Sequence, residues 1–215
     1  DPENPFAIFS DVQEYYNKVL DRKQKAAAEW KKRFAEWEKS NQVPGKKLHD
    51  FYSGKIPSID FSQIKQKEGV STRVASSAVL EVLAEKVENM IVASADLSNS
   101  DKTDGFLKKT KPFMKNDFSG SFLQMGVSEL TMAAVMNGMA LHGGVIPACG
   151  TFLVFSDYMK PAVRLACLMR IPIIYIWSHD AFRVGEDGPT HQPVEQEAQL
   201  RLMEHLKNHH GENSM

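Results

Sequence analysis

The chain has 215 residues, of which 42% are hydrophobic and 25% are charged, as is ordinary for a globular protein. Because 26 Lys and Arg residues nearly balance 27 Asp and Glu residues, the net charge of −1 gives no reason to expect nucleic acid or an anionic membrane as a partner. No apolar run reaches the ~18 residues of a transmembrane helix, and two cysteines, Cys149 and Cys167, are too few for a disulfide framework and fit the reducing cytoplasm.

Residues 1–68 are predicted to form a helical connector and a linker. Apolar residues recur at helical spacing over residues 11–39. The second half of this helix carries an aromatic stripe, formed by Trp30, Phe34 and Trp37. We expect this stripe to pack against another part of the protein as a structural feature. Residues 40–45 contain Pro and Gly and predict the end of the helix, and residues 46–68 lack a sustained period and predict a linker.

From residue 69 onward, helical patterns alternate with short apolar runs that predict strands. The predicted helices span residues 71–89, 130–141 and 157–169. The predicted strands span residues 90–95, 145–149 and 171–177. This alternation favours an α/β fold in which a mostly parallel sheet is covered by helices on both faces. We therefore predict an α/β domain over residues 69–215.

Polar residues follow each of the three predicted strands. These clusters are residues 94–100, 150–152 and 178–180. Parallel sheets bind ligands beyond the carboxyl ends of their strands, so a site is expected where the three clusters meet.

The densest group of candidate side chains lies in the loop of residues 178–195. It contains two imidazoles and three carboxylates, from His179, Asp180, Glu186, Asp187 and His191. Such a set could bind a metal ion or hold the hydroxyls of a polar substrate, and the alternative is a solvated surface loop.

We expect no metal site in this part of the chain. Residues 186–188 together with Asn213 loosely resemble the Gly-Asp-Gly…Asn pattern that holds magnesium and a diphosphate, but Glu186 stands where that pattern has a flexible Gly. Asn213 belongs to a polar tail without a pattern, and the neighbouring His209 and His210 are interpreted in the same way.

Glu129 opens the apolar segment that is predicted to be a buried helix. Burying a carboxylate is costly unless it is paired or protonated. One interpretation is a capping or dipole role at the helix N-terminus. The other is a carboxyl that shares its proton with a ligand nitrogen.

Three aromatic residues, Phe152, Phe155 and Tyr158, follow the second predicted strand at a spacing of three. In a helical turn this spacing puts them on one side, where they would form a stacking wall for a flat heterocycle. The alternative is ordinary core packing.

Taken together, these segments resemble the central, pyrimidine-binding domain of transketolases over roughly residues 69–205. The most specific string is Gly-Glu-Asp-Gly-Pro-Thr-His-Gln-Pro at residues 185–193. The other matching segments are residues 72–73, 94–97, 126–129, 137–143 and 150–158. The preceding connector resembles the end of the family's diphosphate-binding domain and its interdomain linker.

This resemblance implies a thiamine-diphosphate enzyme that moves a two-carbon ketol unit from a ketose phosphate to an aldose phosphate. Glu129 matches the family's glutamate that hydrogen-bonds the aminopyrimidine ring, and burial favours the neutral acid that this role needs. The other matching cofactor residues are Asp96 and Leu97 near the thiazolium, and Phe152, Phe155 and Tyr158 around the pyrimidine.

The resemblance also implies substrate residues. Those matching the family's sugar-phosphate ligands are Arg73, Ser100 and His179. Asp187 matches the carboxylate that contacts a donor hydroxyl, and His191 matches a histidine near the donor's first carbons. The implied catalytic set is therefore Glu129, His179 and His191.

Two departures from the family pattern stand out. Ser128 and Leu130 flank Glu129 where the family commonly has Arg and His, and residues 180–184 read Asp-Ala-Phe-Arg-Val in place of Asp-Ser-Ile-Gly-Val. Arg183 could contact a phosphate or form a salt bridge. The second departure leaves donor preference open.

By the same resemblance, the diphosphate-binding domain, with its Mg²⁺ or Ca²⁺, would precede residue 1, and the remaining domain sequence would follow residue 215. The family's cofactor lies between two subunits of a dimer, so we expect the isolated chain neither to bind thiamine diphosphate tightly nor to turn over. The expected partners are sugar phosphates, a diphosphate-binding domain or subunit, and a second copy in a homodimer.

Two alternatives remain open. One is a noncatalytic remnant that acts as an association module. The other is a protein similar to deoxyxylulose-phosphate synthase, which shares the cofactor and fold. Residues 190–193 and the aromatic triplet favour the transketolase family over this second alternative.

Overall fold

The computed structural model describes residues 2–180, 184–207 and 211. Contacts between residues divide the chain into two compact units, Asp1–Asp50 and Phe51–Met215. Within the described residues, no helix is both long and apolar enough to cross a membrane.

The first unit consists mainly of one long helix. Helix α1 spans Ser10–Ser40, which confirms the predicted helix and its end. The aromatic stripe is formed as predicted: the rings of Trp30 and Phe34 stack with centroids 5.1 Å apart, and those of Phe34 and Trp37 lie 5.7 Å apart. No residue of α1 is buried within the described chain, so packing of the stripe against another part of the protein stays a prediction.

The predicted linker is wrong over its first part, because a second helix, α2, covers Gln42–Tyr52. The break between the two helices is a single residue, Asn41, with a φ of −133° and a ψ of 58°. Pro44 lies in the first turn of α2, where a missing N–H costs no helical hydrogen bond. The Pro and Gly that predicted a stop therefore mark the start of the next helix.

The second unit is built on a four-stranded parallel sheet with the strand order β2-β1-β3-β4. Its strands are β1 Met90–Ser94, β2 Phe122–Gln124, β3 Ile146–Phe152 and β4 Ile174–Ser178. Its helices are α3 Thr72–Lys86, α4 Ser98–Asp101, α5 Asp104–Lys109, α6 Glu129–His142, α7 Ser156–Met169 and α8 Gln196–Met203. Three short 3₁₀ turns cover Phe61–Gln63, Leu153–Phe155 and Pro189–His191. The predicted α/β fold with a parallel sheet is confirmed.

Side chains that alternate along the central strands fill two cores, one on each face of the sheet. Val92 and Ala148 belong to one core, while their neighbours Ala93 and Cys149 belong to the other. This is the period of two that a strand imposes. Met132 and Met136, four residues apart on α6, have no exposed surface, which explains part of the methionine content.

Strand pairing aligns the ends of three strands at one edge of the sheet. Ser94 of β1 pairs with Gly150 of β3, and Phe152 at the end of β3 pairs with Ser178 at the end of β4. The three polar clusters that were predicted from the strand ends therefore lie along the same edge, where a parallel sheet offers a ligand site.

The first testable prediction concerns the close approach of α5 to α3. A Cβ atom on Gly105 would lie 2.6 Å from the carbonyl oxygen of Ser77, a backbone atom that cannot move aside. We expect Gly105→Ala to lower the free energy of unfolding by ~1–3 kcal/mol through overpacking, as measured by urea denaturation.

The matched control is Gly138→Ala in α6. Gly138 is exposed and a Cβ there meets no atom within 4 Å, so the substitution should raise the free energy of unfolding by up to ~1 kcal/mol through helix propensity. Equal effects of the two substitutions would contradict the steric explanation.

Candidate active site

The carboxyl ends of β1 and β4 carry strained backbone conformations. Asp96 and His179 each follow a strand and have φ angles of 67° and 55°, in the left-handed region that non-glycine residues rarely occupy. Such strain concentrates at functional sites, because the surrounding structure must hold it in place.

A first cavity of about 650 Å³, here called the acid cavity, lies against the start of α6. It is lined by Ala95, Leu97, Val127, Ser128, Glu129, Leu130, Thr131, Phe155 and Tyr158. Glu129 is only 7% exposed, and two of the three predicted aromatic residues share the cavity with it. The buried carboxyl and the aromatic wall that the sequence predicted are therefore adjacent.

The Glu129 carboxyl is held from the sheet side by Thr151, whose hydroxyl lies 3.5 Å from Oε1, at the outer limit of a hydrogen bond. Ser128 occupies the N-cap position without a side-chain capping bond, and its hydroxyl donates to the carbonyl of Met125 at 2.7 Å. The helix N-terminus thus presents Glu129 toward the cavity at the positive end of the helix dipole.

The aromatic wall has a different backbone origin from the predicted helical turn. Phe152 ends β3, Phe155 lies in a 3₁₀ turn, and only Tyr158 lies in α7. The rings nevertheless form a continuous row, with centroid distances of 5.6 Å between Phe152 and Phe155 and 5.9 Å between Phe155 and Tyr158. A strand end followed by a 3₁₀ turn therefore produces the row that helical spacing alone was expected to give.

Phe152 and Asp96 are not part of the described lining of the acid cavity. Phe152 is buried, and the centroid of its ring lies 3.7 Å from the centroid of the His179 imidazole. Asp96 is exposed at the end of β1, next to Leu97, which does line the cavity.

A second, larger cavity of about 1070 Å³, here called the cation cavity, lies between α3 and the loop after β4. Its polar lining includes Arg73, Asp101, His179, Asp180, Glu186 and Asp187. One Nη atom of Arg73 lies 3.0 Å from the carbonyl oxygen of Ser100 and 2.7 Å from Nε2 of His179. Ser100 therefore meets Arg73 through its backbone, while its hydroxyl lies 3.5 Å from Oδ1 of Asn99.

The two predicted histidines flank the aromatic row. The ring of His191 lies 5.2 Å from Phe155 and 6.1 Å from Phe152, edge-on in both cases. Burial lowers the pKa of His179, Arg73 and His191 lower it further, and the carboxylates of Asp187 and Asp180 oppose this effect. The structure thus gathers Arg73, Ser100, both histidines and Asp187 around one end of the row.

A buried carboxyl that the sequence pattern did not single out, Asp101, organises the loop after β1. It is 1% exposed; Oδ2 accepts from the Ser94 hydroxyl at 2.9 Å, and Oδ1 accepts from the backbone N–H and hydroxyl of Thr103 at 2.8 and 2.7 Å. Burial raises the pKa of Asp101, although these hydrogen bonds oppose the shift. The only signal in the sequence was an acid close to Ser and Thr after a strand, a pattern equally typical of an exposed turn.

Close packing against this network explains Gly150. A Cβ atom on Gly150 would lie 2.5 Å from Cγ2 of Thr103 and 3.0 Å from Oδ2 of Asp101. A second unpredicted side chain, Gln196, is 2% exposed and links the loop that carries His191 to α7, since its Nε2 donates to Asp157 at 3.0 Å.

Four residues that were considered from the sequence lie outside the described residues: Arg183, His209, His210 and Asn213. Among residues 2–180, 184–207 and 211, no group of three or more His, Cys, Asp or Glu side chains is arranged to hold a metal ion.

Comparison with known families and proteins gives a consistent result. Residues 68–210 match the family model described as the pyrimidine binding domain of transketolase, and residues 1–57 match the thiamine diphosphate binding domain of transketolase. Transketolases of Halalkalibacterium halodurans and Bacillus subtilis are each 40% identical to the chain, over 94% and 95% of it. The chain spans 30% and 31% of the length of these two relatives.

Solved structures agree with these matches. Transketolase from Leishmania mexicana superposes with a TM-score of 0.85 at 33% identity, covering 94% of this chain and 30% of that one. The transketolase of Pichia stipitis in complex with sedoheptulose-7-phosphate superposes with a TM-score of 0.82 at 35% identity, covering 94% and 31%.

The second testable prediction concerns Asp101. In Asp101→Asn, the amide oxygen can still accept from Thr103, the contact to Ser94 reverses because the amide nitrogen can only donate to the Ser94 oxygen, and the buried charge is removed. We expect the free energy of unfolding at neutral pH to rise by ~1 kcal/mol, whereas Asp101→Ala should lower it by ~1–3 kcal/mol by leaving buried groups unpaired.

The pH dependence tests the cause. A carboxyl whose pKa is raised on folding contributes stability below its ordinary pKa of 3.8 and loses it as the pH rises through the folded value. The advantage of Asn over Asp in urea denaturation should therefore be smallest near pH 3.8 and grow toward neutrality. An advantage that shrinks with rising pH would contradict this account.

Proposed function

The chain belongs to the transketolase family, and on this premise we propose that it carries the pyrimidine-side half of a transketolase active site. The complete enzyme would transfer a two-carbon ketol unit from a ketose phosphate to an aldose phosphate. The observation that carries the proposal is the buried Glu129 carboxyl facing a cavity walled by Phe155 and Tyr158.

The acid cavity fits the pyrimidine ring of thiamine diphosphate. An aminopyrimidine is flat and carries ring nitrogens, so it needs an aromatic or apolar wall and one convergent hydrogen-bonding group. Phe155, Tyr158 and Leu97 supply the wall, and Glu129 is the only carboxyl in the described lining. When bound, the cofactor supplies the electron sink that ketol transfer needs.

Glu129 is the proposed catalytic acid toward this ring. Its position at the head of α6 orients the carboxyl into the cavity, and Thr151 holds one oxygen from behind. The carboxyl can then hold a proton at one oxygen against a ring nitrogen. Leu97, in the loop after β1, would lie near the thiazolium, with Asp96 beside it.

The cation cavity is the proposed site of the sugar phosphate. The Arg73 guanidinium is shaped to bind a phosphate through two parallel hydrogen bonds. His179 and Ser100 already contact Arg73 and would complete the anion site. Asp187 would accept a hydrogen bond from a hydroxyl of the ketose phosphate. His191, next to the aromatic row, would contact the reacting end of that substrate. With Glu129 and His179 it would form the catalytic set.

This proposal assigns separate roles to the parts of the chain. Residues 1–68 would be the connector from a diphosphate-binding domain. That domain would also hold the divalent cation of the cofactor. Residues 69–215 would be the pyrimidine-binding domain. Matches of residues 1–57 and 68–210 to two family models support this division. We further propose that the complete protein is a homodimer, as the resemblance implies, and that it lies in the cytoplasm, with which the buried free thiols of Cys149 and Cys167 are consistent.

The third testable prediction uses a chimera in which residues 68–210 replace the corresponding segment of the Bacillus subtilis transketolase. We expect the chimera to transfer ketol units between sugar phosphates and Glu129→Gln to lower kcat by about 100-fold or more, because an amide cannot exchange the proton. The measurement is a coupled assay of sugar-phosphate conversion.

Tyr158→Phe is the matched control, since it keeps the ring that lines the cavity and should leave kcat within about twofold. A folded chimera that retains Glu129 and shows no activity would favour the noncatalytic alternative. Full activity of Glu129→Gln would contradict the proposed role of the carboxyl.

The fourth testable prediction concerns the phosphate site. Arg73→Lys keeps the charge but loses the planar pair of donors, so KM for a ketose phosphate in the chimera should rise about tenfold with little change in kcat. A ketol donor without a phosphate should show the same KM in the chimera with Arg73 and in the chimera with Arg73→Lys. An equal rise for both donors would contradict phosphate binding by Arg73.

A further inference from the structure

His179 is held from both sides by donors and acceptors that fix its protonation. Nε2 lies 2.7 Å from an Nη atom of Arg73, and Nδ1 lies 2.9 Å from the hydroxyl of Ser178. Ser178 is 6% exposed at the end of β4, and the ring of Phe152 covers the imidazole at 3.7 Å. The ring therefore has little freedom to exchange these partners.

The chemistry of these groups selects one tautomer. A guanidinium can only donate hydrogen bonds, so Nε2 must be the acceptor. The single proton of a neutral imidazole then lies on Nδ1, which donates to the Ser178 hydroxyl. A doubly protonated ring would point an N–H at an N–H of Arg73, which is repulsive.

This pairing occupies the same two groups that the proposed function assigns to the sugar phosphate. An anion that accepts hydrogen bonds from Arg73 removes the guanidinium from Nε2. The unprotonated Nε2 cannot donate to the anion, but a protonated Nε2 can. Anion binding therefore favours protonation of His179, and protonation of His179 favours anion binding.

We propose that Arg73 holds His179 as the Nδ1–H tautomer, with the Ser178 hydroxyl accepting from Nδ1, and that an anion entering beside Arg73 brings a proton onto Nε2. The identification of that anion as a sugar phosphate rests on the proposed function. The proton comes from water and attaches to the lone pair released by Arg73. No other covalent bond forms or breaks.

The surrounding charges agree with this coupling. Arg73 from α3 and His191 from the loop after β4 oppose a positive charge on His179, whereas Asp180 and Asp187 favour one. Burial has the largest effect and also lowers the pKa of His179. Asp101 of α4 lines the same cavity. An anion between Arg73 and His179 offsets the positive charge of Arg73, which is the strongest nearby charge acting on His179, so it favours the imidazolium.

The tautomer is tested on this chain by two-dimensional ¹H–¹⁵N spectra of the histidine rings, with His179→Gln assigning the signal. We expect the wild-type ring to be protonated at Nδ1. Arg73→Met, which removes the donor, should let the ring populate Nε2–H, and Arg73→Lys, which keeps a donor, should retain the wild-type signal. An Nε2–H ring in the wild type, or an unchanged ring in Arg73→Met, would overturn the role of Arg73 in holding the tautomer.

The coupling is tested by titrating the same signal with inorganic phosphate and with sulfate. Sulfate keeps its charge over the range in which histidine titrates, so its effect is free of the anion's own titration, and the assigned ring signal separates His179 from His191. We expect both anions to raise the midpoint of His179 titration, and the affinity for sulfate to fall by up to about tenfold per pH unit above that midpoint. Anion binding without a change in the midpoint, or no response of His179 to either anion, would overturn the coupling.

These spectra need no cofactor and no turnover. An inactive chimera with a normal His179 response would argue against the proposed function alone, and an active chimera without the response would argue against this inference alone.

Discussion

The buried hydrogen bonds of Asp101 fix the loop on which both cavities depend. One carboxyl oxygen holds Ser94 at the end of β1, the other holds Thr103, and the Leu97 N–H completes the turn by donating to the Ser94 hydroxyl at 3.2 Å. Between these points the chain presents Leu97 to the acid cavity and the Ser100 carbonyl to Arg73. A polar network inside a packed core is stable only when each member is satisfied, which makes this loop well defined.

The two cavities have opposite chemical character, and a row of rings links them. The acid cavity combines one carboxyl with aromatic and aliphatic side chains, whereas the cation cavity combines a guanidinium with an imidazole and several carboxylates. Phe155 lines the first, Phe152 covers His179 in the second, and His191 contacts both rings. A flat, weakly charged group suits one end of this row and a phosphorylated polyol suits the other.

The sequence predicted those features that follow from short-range periodicity. Helices α1, α3, α6 and α7 and three of the four strands appear where apolar spacing indicated. β2 has three residues, too few to show an alternating apolar pattern. α2 was not predicted because Pro44 and Gly45 were interpreted as the end of a helix. Site residues were found where strands end. Arg73 and His179 are 106 residues apart in sequence, so spacing could not pair them, and only the family resemblance placed them together. Asp101 was indistinguishable from an exposed turn residue until its burial was known.

The departure at Ser128 and Leu130, on either side of Glu129, affects the rim of the acid cavity more than its acid. The Ser128 hydroxyl turns back to its own loop, where it donates to Met125, and Leu130 and Val127 are 49% and 80% exposed. A short hydroxyl side chain and an apolar side chain therefore stand where the resemblance would lead one to expect an Arg and a His. The position of Glu129 depends instead on the start of α6 and on Thr151, which neither change touches. Glu129 is the one carboxyl in the described lining of the acid cavity, so in the proposed function that carboxyl and the aromatic wall would together set the orientation of the pyrimidine ring.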